Sequence, residues 1–336
     1  MINKDILIMI DDLIKSGHIK KIENLYIRQN KYENSIILTH NEFENGLLKN
    51  NVISSIKKLN IKEIELNDLF GFNMFDLNFV DQINWVEGIK IIKSDGVNSN
   101  DLKRLENIRK FVNNYSSEPV DFLSFKKLEK ADILWSKGRE NILECENLES
   151  LTIHKLKLKD LKDFKKLKNL KNLSLINSSL ESLEGIEDLE NLESLEICIN
   201  KNLNNLTSLS KLNNLKWLKL EKCSKLEDIT PIKDCIDISF ISILDCKKII
   251  NNEVIFKLIH LNVLAINNSG EIKSIHGIEE MKNLERFIIY NSNVIDGDLK
   301  PLIRLKNLKW CKFSDKKHYN LKYEEVEKHI NMNQSN

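Results

Sequence analysis

Proline and glycine are scarce in this chain, three and ten residues in 336. That excludes collagen-like, proline-rich and glycine-rich linker compositions. Arginine numbers only six, and arginine is the side chain best built for bidentate phosphate and base contacts. Charge of one sign is also lacking: 51 basic against 50 acidic residues leave a net charge of +1, which argues against nucleic acid and against an anionic membrane surface. The lysine run from Lys155 to Lys171 interleaves with apolar residues and reads as a solvated edge.

Six cysteines form neither a CxxC pair nor a dense framework, so disulfide staples and redox motifs drop out. Seven dispersed histidines give no HExxH, and no Walker loop, GxSxG or GxGxxG is present. We therefore expect no enzyme, no cofactor and no metal. No long apolar run occurs; Ile6–Ile10 is cut by Asp11 and Asp12, too short for a signal sequence or a membrane span. No membrane segment and a cytoplasmic location are the expectation, with export that needs no leader as the alternative.

A strong period is present instead. The segments CENLESLTIHKLKL, LKNLKNLSLINSSL, LENLESLEICINKNL and LNNLKWLKL share one frame that ends in an apolar–polar–apolar triplet. The first apolar residue of that triplet falls at 64, 89, 111, 131, 151, 173, 195, 218, 241, 264, 287 and 311, in steps of 20 to 25 residues. Such a period is the mark of a solenoid in which each unit supplies one short parallel strand. The other half of each unit, as in Leu180–Leu192 and Ile272–Leu284, spaces apolar residues three or four apart, which suits a short 3₁₀ or α-helical turn. Gly185 and Gly277 share a slot there where positive φ is expected.

The frame resembles a leucine-rich repeat of the internalin-like class, with its repeats of about 22 residues and an LxGIxxLxNL second half. A small polar column five residues beyond the strand marker carries the resemblance: Ser136, Ser178, Asn200, Cys223, Cys246, Ser269 and Ser292. Leu69 and Leu156 depart from it. The resemblance implies an α/β solenoid, a horseshoe with a concave parallel sheet and short turns on the convex side, and a role in binding proteins. We expect an N-terminal cap over 1–50 (a helix from Ile6 to Ile14, an imperfect repeat from His18 to Asn30, a strand near Asn34–His40). About 12 repeats follow over 51–315, then a C-terminal cap and tail over 316–336 in which Leu321, Val326 and Ile330 make a short helix. Irregular spacing near 116–140 predicts a bend or weakened stack.

Strand residues alternate between faces, so the neighbours of the buried markers line the concave surface. Those neighbours are small and polar in mid-chain, at Ser150, Asn172 and Ser194, and then turn aromatic. Trp217, Lys219, Phe240, Leu244, Arg286, Tyr290, Trp310 and Lys312 are the candidate partner-binding residues, because aromatics beside arginine typify interface hot spots. Cys198 is expected on the same face. The predicted function is non-enzymatic binding of an unidentified protein partner. A secreted or host-directed effector or adhesion protein, a toxin-neutralising immunity protein and a homodimer joined through the patch are the alternatives. The asparagine- and lysine-rich composition points to a bacterial source.

Overall fold

A computed structural model describes residues 14–22, 25–29, 34–72, 77–92 and 99–334. Its contacts divide the chain into two units, 1–154 and 155–336. Most of the helix expected over Ile6–Ile14 lies outside the described residues; Ile14 and Lys15 are helical, and Gly17 follows at φ +77.

In the first unit β1 (Ile19–Ile22) pairs antiparallel with β2 (Leu25–Gln29), and β2 antiparallel with β3 (Asn34–Leu38). The imperfect repeat expected over His18–Asn30 is thus corrected to a hairpin. Two residues separate β1 from β2, whereas a parallel crossover needs a dozen or more. That length is available after β3, where α1 (Asn50–Lys58) buries Val52 and Ile56 and carries the chain back to β4 (Glu63–Asn67), parallel to β3. Parallel pairing then continues through β5 (Gly88–Ile92), β6 (Lys110–Asn113), β7 (Lys130–Leu134) and β8 (Ser150–His154).

The stack is maintained through 116–140, and one side chain explains how. The second inward position of β6 is Asn113, where the other parallel repeat strands place an aliphatic residue or, in the last, Phe313. Arg139 is fully buried beside it and donates to Asn113 O at 2.9 Å and Glu118 O at 2.7 Å. Burial lowers the guanidinium to about 10. Ser136, expected in the polar column, instead donates to Ser117 O at an exposed site. Arginine thus satisfies the backbone that a small polar residue serves elsewhere.

The second unit is the regular one. Its strands are β9 (Asn172–Ile176), β10 (Ser194–Cys198), β11 (Trp217–Glu221), β12 (Phe240–Leu244), β13 (Val263–Asn267), β14 (Arg286–Ile289) and β15 (Trp310–Phe313), each parallel to the next. Every predicted marker, here and in the first unit, is the second residue of its strand and is buried. Short 3₁₀ turns fill the back of each repeat, among them Ile186–Asp188 and Ile278–Glu280. Gly185 precedes the first of these at φ +94, and a Cβ there would come within 2.4 Å of Lys162 N, so only glycine fits. Gly277, at φ +98, has the same conformation.

The polar column forms a ladder inside the unit. Cys223 N–H donates to Cys246 Sγ at 3.4 Å, Cys246 N–H to Ser269 Oγ at 3.0 Å, and Ser269 N–H to Ser292 Oγ at 3.3 Å. Each side chain passes its own proton to a strand carbonyl, as Ser292 does to Ile266 O at 2.9 Å. Earlier in the column Asn200 donates to Ser178 Oγ at 3.0 Å and accepts two backbone N–H groups. One residue earlier the backbone turns left-handed at Lys155, Asn177, Ile199, Lys222, Asp245, Asn268 and Asn291. The last described element is α2 (Tyr323–Gln334), where Val326 and Ile330 are buried.

Candidate functional site: the open face of the strands

From β4 onward the first, third and fifth residues of each strand point away from the core and form an open face; on β2 and β3 the register gives that face to the second and fourth. In the first unit that face is charged and mostly self-paired. Glu65 is fully buried, held by Arg28 through two bonds of 2.8 Å and approached by Lys90 at 3.4 Å. Burial alone would raise the Glu65 carboxyl, but the Arg28 bond and both cations hold it below its ordinary value. Glu63 reaches Lys110 at 2.7 Å across Gly88, where a Cβ would lie 2.7 Å from the glutamate chain. His154 Nε2 and Asp132 Oδ1 stand 2.9 Å apart on the last two strands. Ile37 is covered as well, in a cluster with Ile19 and Phe70.

The second unit opens with another closed charge cluster. Lys219 binds Glu196 at 2.8 Å and Glu221 at 3.1 Å, and its ammonium pKa is raised chiefly by the Glu196 bond. Cys198 does face this side, yet it is buried and donates to Glu196 at 3.2 Å. Burial, then the Glu196 bond and charge, push its thiol up to about 12, so it carries no thiolate chemistry. Lys219, expected among the partner-binding residues, is occupied by its own chain. The cluster is missed when columns are read singly; opposite charges 23 residues apart, at 196 and 219, were the available signal.

Beyond β11 the face changes character. Trp217 and Phe240, in register on adjacent strands, stack with centroids 5.0 Å apart and planes within 10°. Val263 follows in the same row, then Arg286 and Trp310. Leu244 is half-buried, while Tyr290 and Trp310 are 49% and 46% exposed. Arg286 is exposed and makes no ion pair among the described residues. Lys312 lies 4.3 Å over the ring of Tyr323 from α2. The structure brings seven of the eight predicted residues into one apolar and cationic patch and leaves Lys219 at its margin in a separate cluster.

Among the described residues no group of three histidine, cysteine or acidic side chains stands close enough to hold a metal ion, and no helix is long and apolar enough to cross a membrane.

Parallel strands at a short period, 3₁₀ turns behind them and a polar column at the exits of β9–β14 define a leucine-rich-repeat solenoid. Solved structures agree on that fold. An internalin from Listeria monocytogenes matches with a TM-score of 0.55 and 17% identity, covering 79% of this chain and 89% of its own. A leucine-rich-repeat protein of Leptospira interrogans matches with a TM-score of 0.53 and 18% identity, covering 83% of this chain and 77% of its own. No protein-family model matches the sequence, and no curated protein matches it.

Proposed function

We propose that the chain is a non-enzymatic protein-binding module and that its partner docks on the open face of β11–β15. One observation carries this reading: four large aromatics, Trp217, Phe240, Tyr290 and Trp310, share a sheet face on which two of them keep nearly half their surface in water. Aromatic surface gathered like this is rare on a monomer without an interaction role. Tryptophan, tyrosine and arginine are the residues that most often carry binding energy at an interface. The first unit has no comparable patch among its described strands, whose open-face charges mostly pair with one another.

The test is capture of a partner from lysate of the source cell on the intact chain, beside a Trp217→Ala/Trp310→Ala variant. Both side chains lie on the open face, so the variant keeps its circular dichroism spectrum. Its affinity for the captured protein falls by at least about 100-fold, the loss of two hot-spot contacts. Equal retention on parent and variant sinks the proposal, and a parent of twice the chain mass in solution assigns the patch to a homodimer instead.

A further inference from the structure

The charges around the aromatic patch narrow the chemistry of what it binds. Across the outward positions of β12–β15 and the residue following each of the last two strands there are two cations, Arg286 and Lys312, and no carboxylate. Four acids flank these positions, and all are engaged. Glu221 pairs with Lys219 at 3.1 Å and Glu285 with Lys309 at 2.7 Å, while Asp245 accepts from Asn268 Nδ2 at 2.5 Å and Asp315 from Tyr323 N–H at 2.8 Å. Arg286 sits in register between Val263 and Trp310, one strand spacing of about 4.8 Å from each. The planar guanidinium fork matches a carboxylate in a bidentate bond, and its place in the row sets that bond between apolar neighbours.

Resting on the binding reading above, we propose that the patch takes a protein segment presenting an aspartate or glutamate flanked by large apolar side chains. Arg286 receives the carboxylate, and the neighbours pack on Trp310 and on the Trp217–Phe240 stack. A second copy of this chain fits less well, because a two-fold contact sets each patch against itself and that patch holds cations without an acid.

A random peptide library displayed on phage tests this, selected in parallel on the full chain, on Arg286→Glu and on Trp217→Ala/Trp310→Ala. Binders from the parent are expected to be rich in Asp or Glu next to Leu, Phe or Trp, and to bind Arg286→Glu about 10- to 100-fold more weakly. Selection on Arg286→Glu is expected to replace the acids with Lys or Arg. Arg286 is exposed, so the variant folds, which circular dichroism checks. Parent binders without acidic enrichment, or one acidic consensus on parent and Arg286→Glu alike, overturn the inference. If such binders still vanish on the tryptophan variant, the binding reading stands without it; if they do not, both fall.

Discussion

Ile199 is a β-branched residue at φ +58, in a column otherwise held by asparagine, aspartate and lysine. Left-handed backbone costs an L-residue roughly 1–2 kcal/mol, and asparagine tolerates it best after glycine. The Ile199 N–H still reaches Glu221 O at 2.8 Å, so the turn is imposed by its neighbours in the stack. Ile199→Asn should therefore stabilise the chain by about 0.5–1 kcal/mol, seen as a higher urea midpoint at unchanged slope. A lower midpoint would mean that the isoleucine side chain contributes more than its backbone costs. The column was partly legible, since Asn177, Asn268 and Asn291 occupy one slot of the repeat. Lysine and isoleucine elsewhere in that slot hid it. Arg139 was not legible at all, because a lone arginine reads as surface until Asn113 is seen to face inward beside it.

Among the elements, the β1–β2 hairpin shows where periodicity misleads. Ile22, Leu25 and Ile27 match the repeat frame, yet the same spacing suits two short antiparallel strands, and only the length of the connection separates them. Arg28 on β2 ties this hairpin to β4 through Glu65. The folded Glu65 pKa lies below its ordinary 4.5, so the carboxylate contributes stability above that value and loses it as pH falls further, through the folded value. Urea midpoints measured from pH 7 down to 3 should show this loss. Glu65→Gln should cost about 2–3 kcal/mol at pH 7, somewhat less than a fully buried pair because Arg28 keeps some exposure, and should flatten the acid limb. An acid limb as steep in the variant as in the parent would assign the pH dependence to other carboxylates.

At the scale of the whole molecule, the near-neutral charge of +1 conceals an uneven layout, mostly self-paired on one open face and cationic on part of the other. Partner binding through Arg286 and Lys312 should weaken by roughly 10-fold or less between 50 and 200 mM salt, as expected for two released ions. A nucleic-acid ligand held by six to ten phosphates would lose about 10³- to 10⁵-fold over the same range, so titration by calorimetry at both salts separates the two. The fold was legible because twelve markers repeat a pattern that only one architecture satisfies. The patch was legible as a column of aromatics, but whether Lys219 was free depended on its neighbours 23 and two residues away, which no single repeat contains. The hydrogen-bond ladder from Cys223 to Ser292 has one more implication. Its rungs are identical in role and 23 residues apart, and each rung carries both the acceptor for its predecessor's N–H and the donor for its successor's side chain. A gene segment encoding one such block can be duplicated or lost in frame without orphaning a buried group, so this stretch can change length in inheritance. The arrangement around Arg139, assembled from unlike residues, has no such freedom.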